Sequence, residues 1–387
     1  GTTIQVGDQA PIIVTSGSIN IDIEDIEDVK IKAPEHSDVN FELVYEAIDS
    51  NQVIVETGTI AVDVHPDADK PNLLIGGFET VAAIDFEDVT IETGSWDSDI
   101  EINKVEGAGT IGEWNTSNPG NHVEIGTEGT YLPGTSKNQV MEIEGESGDK
   151  VLYTDMELIG GRFYEFEFDI AGRQGKVNSS DMSVSLIKLD ENGDVIEGSE
   201  IELYDFDPTT YQWHIDESFT LPVEESGKYR LLFEADQDDS TGAIMDNISF
   251  KAVDNMGYED TFIKLSEISA SLKDAQDNSE TLTVELSGIP AGSVLKDDDG
   301  NEYTVQSASE LVDVTDWDLA NLQIKVDDPS EFGIKVIATA TESDTNKDDD
   351  THADHSDVGG SLTAESVAVI NVTVLDKPLV IDDVNVS

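Results

Sequence analysis

The acidic loop from 236 to 240 is a candidate ligand-binding site because several side chains that can bind a cation crowd it. Three carboxylates, Asp236, Asp238 and Asp239, fall within four positions, and Ser240 follows them. Carboxylates this close repel one another unless a cation or a hydrogen-bond donor offsets them, and Ca²⁺ prefers oxygen ligands. The loop therefore predicts a partly open Ca²⁺ site that could accept an oxygen of a ligand, such as a sugar hydroxyl or a peptide carboxylate. A solvated acidic loop is the alternative.

Four further side chains are candidates for direct ligand contact. The Arg173 guanidinium could form paired hydrogen bonds with a ligand carboxylate, or it could pair with one of the many acids of the chain. Trp114, Asn115 and Asn118 lie among turn-forming residues between 112 and 120. An indole can stack on a sugar ring or an aromatic side chain, although Trp in a β-sandwich is more often part of the core. The two Asn residues would add amide donors.

Two other sets of acids are candidates for binding structural Ca²⁺. Glu79 and Asp246 lie near the two ends of the stretch from 78 to 252. If that stretch is a jelly roll, its first and last strands are neighbours and the two carboxylates could share one ion. Two separate surface acids are the alternative. The second set predicts Ca²⁺ at the junctions between modules and comprises Asp67, Asp69, Glu259, Asp260, Asp274, Asp277, Glu280 and Asp376.

The excess of acidic over basic residues limits the partners that the chain can bind. Asp and Glu number 84 and Lys and Arg number 20, which gives a formal net charge of −64. Such a chain repels nucleic acid and anionic membranes, and it needs counter-ions to stay compact. Several bound Ca²⁺ ions are one explanation of the composition. A halophilic surface solvated by salt is the other, and the two are compatible.

The lack of cysteine and of long apolar runs bears on the location of the protein. With no Cys, no disulfide staples the fold, which suits a bacterial surface protein stabilised by metal. No run approaches the ~18 apolar residues of a membrane span, so we expect no membrane insertion. The chain begins with Gly1 and shows no signal peptide. We therefore expect a monomeric segment of a longer extracellular chain.

Apolar and polar residues alternate with a period of two in short runs, which Gly, Asp, Ser or Pro bound. This pattern predicts an all-β chain built of several antiparallel β-sandwiches. Residues 190–194 and 297–300 have the composition of hairpin turns rather than of calcium loops. The clearest predicted strands are 19–23, 29–32, 39–45, 59–64, 139–144, 163–170, 183–189, 200–204, 216–220, 228–234, 322–326, 334–340 and 367–374.

Changes in composition divide the chain into five segments. We expect a partial β-sandwich module, the N-terminal segment (1–69), then a linker (70–77), a central sandwich (78–252), a C-terminal module (253–377) and the start of a further module (378–387). A shift of 293 positions superimposes Val29 on Leu322 and Phe41 on Ile334, so the N-terminal segment repeats the second half of the C-terminal module. It either lacks its opening strands or takes strands from beyond the central sandwich, which would then be nested in a split domain.

Short motifs in both larger segments resemble parts of large bacterial RTX adhesins. The C-terminal module resembles their cadherin-like, immunoglobulin-type extender repeats through 257–261, 274–282 and 287–292. The central sandwich resembles their peptide-binding type of ligand-binding domain through 78–79, 171–175, 235–240 and 246–249, and jelly-roll carbohydrate-binding modules share much of this pattern. The resemblance implies Ig/cadherin-like modules, made rigid by several Ca²⁺ ions, that flank a jelly-roll, lectin-like insert.

These observations favour a non-enzymatic, calcium-dependent adhesin segment on a bacterial cell surface. The central sandwich would bind a short peptide or a C-terminal carboxylate on target cells, or alternatively a glycan. An accessory carbohydrate-binding module of a secreted glycan-degrading enzyme and a purely structural stalk are the other hypotheses. Catalysis has little support, because in a chain with 84 acidic residues a pair of carboxylates carries no information about glycosidase chemistry.

Overall fold

The chain is an all-β protein whose strands form several antiparallel sheets, which confirms the predicted fold class. Within the described residues, no helix is long and apolar enough to cross a lipid bilayer. The computed structural model describes residues 2–14, 19–33, 41–62, 64, 68–117, 120–144, 150–237, 240–273, 280–342 and 362–378.

The N-terminal segment forms two small sheets, in which β1 pairs with β2 and β3, and β4 pairs with β5. The prediction of a strand over 19–23 is wrong. A 3-10 helix begins at Ile23, and the Asp25 N–H donates a hydrogen bond to the nearby Asp22 carbonyl at 2.9 Å. The hairpin of β4 and β5 does not enclose a core of its own, because Val44 and Ile60 on its two strands are exposed. The elements up to residue 75 are β1 (Thr3–Val6), β2 (Ile12–Ile13), the 3-10 helix (Ile23–Asp28), β3 (Val29–Lys32), β4 (Phe41–Ile48), β5 (Ile54–Val62) and β6 (Asn72–Ile75).

The central sandwich consists of a seven-stranded and a five-stranded sheet. The first has the order β16-β13-β18-β11-β10-β8 with β7 also paired to β18, and the second has the order β15-β14-β17-β12-β9. All six strands predicted between 139 and 234 are present. The elements are β7 (Glu79–Ile84), β8 (Trp96–Glu101), a 3-10 helix (Ile102–Lys104), β9 (Trp114–Thr116), β10 (His122–Thr127), α1 (Glu128–Tyr131), β11 (Gln139–Ile143), β12 (Val151–Leu158), β13 (Phe163–Gly172), a 3-10 helix (Val177–Ser179), β14 (Met182–Lys188), β15 (Ile201–Phe206), β16 (His214–Pro222), β17 (Gly227–Ala235) and β18 (Ala243–Val253).

Strand β13 shows how alternation builds the core of this sandwich. Phe166 and Phe168 are fully buried, and their rings lie 5.8 and 6.4 Å from that of Phe233 on the facing sheet. Each such burial contributes roughly 2–3 kcal/mol. Glu165 and Glu167, which alternate with these phenylalanines in sequence, point away from the core because side chains alternate along a strand. The outer face of the seven-stranded sheet therefore carries the polar groups.

The C-terminal module packs two main sheets, of order β19-β28-β27-β22-β25 and β20-β26-β23-β24. Both predicted hairpin turns are confirmed: Gly193 and Gly300 have positive φ angles of 86° and 94° within tight turns. The strands are β19 (Met256–Tyr258), β20 (Phe262–Lys264), β21 (Ile268–Ser271), β22 (Glu280–Ser287), β23 (Val294–Lys296), β24 (Glu302–Thr304), β25 (Val312–Asp313), β26 (Gln323–Lys325), β27 (Ser330–Glu342) and β28 (Thr363–Leu375).

The range 70–77, expected to be a linker, contains a strand of the C-terminal module. β6 pairs with β21 from Asn72 opposite Ser271 to Ile75 opposite Ile268. Leu73 and Ile75 also pack against the core of that module. The sequence of β6 is a single short apolar run. It did not reveal this pairing, because the partner strand β21 lies beyond the central sandwich in the chain. The sandwich is thus inserted between two strands of one module.

Arg162 joins the two points at which the chain crosses between the C-terminal module and the central sandwich. Its guanidinium donates to Glu79 at 3.1 Å, where the chain enters the sandwich, and to Asp254 at 2.6 Å, where it leaves. The rings of Phe163 and Tyr258 lie 5.1 Å apart beside this contact. Arg162 and Asp254 are largely buried, so removing Arg162 would leave the Asp254 carboxylate without its ion-pair partner.

Candidate cation and ligand sites

Three buried glutamates form a cluster on the outer face of the seven-stranded sheet. β10 and β11 pair so that Glu124 stands directly opposite Glu142, and Glu144 follows two residues later. Val123 and Met141, their neighbours in sequence, point into the core, so the glutamates point to the opposite face. One carboxylate oxygen of each lies within 4.8 Å of the other two. These three residues are the glutamate cluster.

Arg173, at the end of β13, supplies the positive charge beside the glutamate cluster. Its Nη1 donates to both carboxylate oxygens of Glu142, at 2.7 and 2.6 Å. Glu142 also accepts the Gly242 N–H at 2.8 Å, and the Tyr131 hydroxyl donates to Glu124 at 2.9 Å. The guanidinium carbon lies 5.3 Å from the centroid of the Tyr131 ring. The cluster is thus held by three donors and an aromatic face.

Burial dominates the electrostatics of the glutamate cluster. Loss of solvent raises the pKa of Glu142 to about 8, although Arg173 and the Gly242 N–H favour the charged form. Burial, and then the nearby Glu124, raise the pKa of the Tyr131 hydroxyl, so it acts as a neutral donor. The cluster can therefore take up a proton near neutral pH, and its carboxylate oxygens are also the ligands that Ca²⁺ prefers.

Of the two uses predicted for Arg173, the structure shows pairing with an acid of the chain. Its side chain is 25% exposed and that of Glu142 is fully buried. A ligand carboxylate would have to displace Glu142 and leave that charge buried, which is costly. Sequence reasoning missed Glu124 and Glu142 because each occupies an ordinary polar position of an alternating strand. The signal that could have identified them is the pairing of β10 with β11.

The acidic loop begins next to the glutamate cluster but its described residues are solvated. Asp236 and Ser240 are both exposed. The Asp236 N–H donates to the Asp181 carbonyl at 2.9 Å, and Gly242 ties the end of the loop to Glu142. The predicted ligands Asp238 and Asp239 lie outside the described residues. The prediction of Ca²⁺ in this loop therefore stays a prediction.

Trp114 is a core residue, which contradicts its predicted place at a ligand-binding surface. It is 1% exposed, and its indole N–H donates to the Ala83 carbonyl at 3.0 Å. Its ring packs 6.4 Å from that of Phe233 in the core, because the turn-rich sequence around it contains the short strand β9. Asn115 uses its side chain within the protein, where its oxygen accepts from Asn121 at 3.2 Å. Asn118 lies outside the described residues.

Glu79 and Asp246 do not share an ion, because the register of β7 and β18 separates them. Glu79 stands opposite Ala252, six residues from Asp246 along β18, which is about 20 Å in an extended strand. Glu79 pairs with Arg162 instead. Asp246 is 2% exposed and accepts from Asn138 at 2.7 Å. Burial raises its pKa to about 7. The expectation of neighbouring first and last strands is correct, but the expectation of neighbouring carboxylates is wrong.

Acids from distant parts of the chain meet where β6 enters the C-terminal module. Glu280 and Glu342 stand directly opposite each other on β22 and β27, and each is 8% exposed. The Asp69 N–H donates to Glu280 Oε1 at 2.8 Å, and the Asp69 carboxylate lies 3.0 Å from Lys273 Nζ. Among the described residues, no donor reaches the buried Glu280 Oε2. Asp69, Glu280 and Glu342 are the joint cluster.

The opposite end of the C-terminal module brings together a second group of predicted junction acids. The Lys377 N–H donates to Glu259 Oε1 at 3.3 Å, which places Glu259 beside the segment that contains Asp376. Asp260 is exposed, with its N–H bonded to the Val326 carbonyl at 2.9 Å. The remaining predicted junction ligands, Asp67, Asp274 and Asp277, lie outside the described residues.

Comparisons with known proteins show only distant structural similarity. No protein-family model matches the chain, and no curated protein matches it. The chain covers 28% of a structure of the M60 catalytic domain with the CBM51-1 and CBM51-2 domains from Clostridium perfringens ZmpB, at 14% identity over 91% of this chain and a TM-score of 0.23. It covers all of the CBM22-1-CBM22-2 tandem domain from Paenibacillus barcinonensis Xyn10C, at 12% identity over 80% of this chain and a TM-score of 0.27. It also covers all of the adhesin domain of Epf from Streptococcus pyogenes, at 10% identity over 79% of this chain and a TM-score of 0.21.

Proposed function

We propose that the chain is a non-catalytic, calcium-dependent binding segment of an extracellular bacterial adhesin. In this proposal the C-terminal module presents the central sandwich, which binds a peptide or a glycan on another cell. The observation that carries the calcium dependence is the joint cluster. There, Asp69 and Glu280 are in contact although 211 positions separate them in the chain.

The joint cluster has the charge and the chemistry of a Ca²⁺ site. Like charges directly opposite on paired strands destabilise a sheet, and Glu280 and Glu342 are such a pair in a buried position. A divalent cation held by Glu280 and Glu342 would offset that charge and engage the buried Glu280 Oε2. Because the Asp69 N–H donates to Glu280 Oε1 and Asp69 precedes β6, the ion would also fix the position at which the chain enters the module.

Thermal unfolding of the whole chain in Ca²⁺ and in EDTA tests the calcium dependence. We expect Ca²⁺ to raise the melting temperature, because a ligand that binds only the folded state stabilises it by about 2.7 kcal/mol at a hundredfold excess over its Kd. Glu280→Gln should reduce that gain and should melt higher than the parent chain in EDTA, since it removes a buried charge that lacks a cation.

Glu365→Gln is the matched control for Glu280→Gln. Glu365 is exposed on β28, a strand of the same sheet. We expect this variant to keep the full Ca²⁺ response. A parent chain that melts at the same temperature in Ca²⁺ and EDTA would contradict the calcium dependence. An equal response of the two variants would exclude the joint cluster as its site.

The two described ends of the acidic loop support the binding role of the central sandwich. Its base is anchored through Gly242 on the glutamate cluster, while Asp236 and Ser240 are exposed to a ligand. Arg173 is bound to Glu142, so capture of a peptide carboxylate requires a cation in this loop. A glycan requires only hydrogen-bonding groups, and it is therefore the alternative ligand class.

Parallel screens of a peptide library and a glycan array, in Ca²⁺ and in EDTA, test the binding role. We expect binding to one class in Ca²⁺ and its loss in EDTA, and a carboxylate-dependent peptide should lose affinity with Asp236→Ala. Asp194→Ala, at an exposed position in the hairpin turn at the other end of β14, is the control. If the chain binds neither library and does not bind intact target cells, the binding role is contradicted.

A further inference from the structure

An open groove lies on the outer face of the seven-stranded sheet of the central sandwich. Its volume is about 390 Å³, and its floor is formed by residues of β7, β13 and β18. This size falls at the lower end of the ~300–1,000 Å³ that small-molecule sites occupy. Neither the predicted ligand contacts nor the predicted metal ligands line the groove, so it is a separate candidate site.

Two strand irregularities next to each other shape the floor of the groove. Asn247 and Asp216 have positive φ angles of 51° and 55° and lie where the pairing of β13 with β18 and with β16 shifts register. Asp169, between them, holds both: it accepts from the Asp216 N–H at 2.8 Å and from Asn247 Nδ2 at 2.7 Å. Left-handed backbone at a non-glycine residue costs ~1–2 kcal/mol. Bulges concentrate at functional sites, where they re-aim side chains.

The groove has one apolar wall close to a carboxylate. Ala108, Gly109 and Ile111 form this wall, and Ile111 is 41% exposed. A Cβ at Gly109 would lie 2.1 Å from Asp85 Oδ2, so glycine allows the wall to approach that carboxylate closely. An apolar surface next to a hydrogen-bond acceptor matches the C–H face and the hydroxyl edge of a sugar ring.

Donors and acceptors both line the polar side of the groove. Lys251 Nζ lies 2.6 Å from Glu167 Oε2, and both side chains remain about a third exposed. Asp216 and Asn247 are exposed as well. In a chain with 84 acids and 20 basic residues, acids are expected in any groove, whereas a lysine is not. A hydroxyl can both donate and accept, so it can satisfy such a mixed set of groups.

We propose that this groove binds a neutral sugar residue of a glycan. The proposal rests on the proposed binding role of the central sandwich and selects the glycan among its two ligand classes. Four carboxylates, those of Asp85, Glu167, Asp169 and Asp216, repel a sialylated glycan or a peptide carboxylate. Lys251 supplies a charged donor to a hydroxyl, and hydrogen bonds from a charged donor are stronger than those between neutral groups.

An array of neutral oligosaccharides, their sialylated counterparts and Lys- or Arg-containing peptides, probed with the whole chain, tests this proposal. We expect binding to neutral oligosaccharides. The Kd for the best neutral oligosaccharide should rise about tenfold or more in each of Lys251→Met and Asp216→Asn. Asn keeps the shape and the tolerance of left-handed backbone that position 216 requires.

Matched substitutions outside the groove provide the controls. Lys228→Met and Asp205→Asn lie on the five-stranded sheet and should leave the Kd unchanged, and all four variants should melt like the parent. Oligosaccharide binding that survives both groove substitutions overturns the groove and leaves the binding role intact. Binding to basic peptides alone overturns the sugar. A blank array overturns the sugar as well, and the binding role then depends on binding to intact cells.

Discussion

Arg173→Met is the sharpest test of the glutamate cluster. The substitution keeps the length and the apolar stem of the side chain but removes the charge that faces Glu142, whose side chain is fully buried. Removing one partner of a buried ion pair costs ~3–5 kcal/mol, because the other charge stays buried. For a domain of this size, each kcal/mol lowers the melting temperature by about 2–4 °C. We therefore expect the sandwich to melt roughly 6–20 °C lower at a pH at which Glu142 is charged.

The loss should depend on pH in a defined direction. Burial raises the pKa of Glu142 from 4.5 to about 8, so the folded state binds the proton more tightly than the unfolded state. The stability that this carboxyl contributes is complete below pH 4.5 and falls as the pH rises toward 8. Without Arg173, the charged form of Glu142 is even less favourable in the folded state. The cost of Arg173→Met should therefore be small near pH 5 and largest at and above pH 8.

Thermal and urea unfolding of the parent, Arg173→Met and Arg230→Met across this pH range is the assay. Arg230 pairs with Asp155, whose side chain is 23% exposed rather than fully buried, so its loss leaves a carboxylate that water still reaches and should cost less than the loss of Arg173. Introducing Glu142→Gln should make the removal of Arg173 less costly. Equal losses in the two Arg variants, or a loss in Arg173→Met that does not shrink toward pH 5, would refute the argument.

Two further substitutions test other parts of the central sandwich. Gly242→Ala should destabilise it severely, because a Cβ would lie 1.4 Å from the Ile143 carbonyl oxygen, whereas Gly77→Ala has no neighbour within 4 Å and should melt like the parent. Trp114→Ala should cost ~3–5 kcal/mol in urea unfolding, whereas Trp96→Ala, at a residue 51% exposed, should cost under about 1 kcal/mol. Unfolding curves that rank either pair the other way would contradict the packing described.

The strands were largely predictable, because apolar and polar residues alternate along the strands of a sheet that has one buried face. The run 163–170 is an example: its phenylalanines face the core, and the observed strand is Phe163–Gly172. Turns with Asn-Gly or Asp-Gly were predictable for the same local reason. The alternation at 19–23 misled, because its apolar residues have no facing sheet in the described part of the chain and Ile23 is 78% exposed.

The sites were less predictable, because they depend on which strands pair and in which register. Glu79 and Asp246 lie on paired strands, yet a register of several residues separates them. Trp114 lies in a sequence of turn formers, and only the three-residue strand β9 carries it into the core. In the joint cluster, Asp69 and Glu280 were predicted from composition, and the structure brings them into contact. Their role as Ca²⁺ ligands stays a prediction.

The insertion of the central sandwich between β6 and β19 has a mechanical consequence for the adhesive role proposed above. When the chain is pulled from both ends, tension enters at Pro71, whose carbonyl accepts from Ser366 on β28, and passes through the pairing of β6 with β21. The tension leaves along β28 without crossing the sandwich. As long as β6 stays paired, the central sandwich carries none of this load, and its surfaces keep their shape under a force that stretches the rest of the chain.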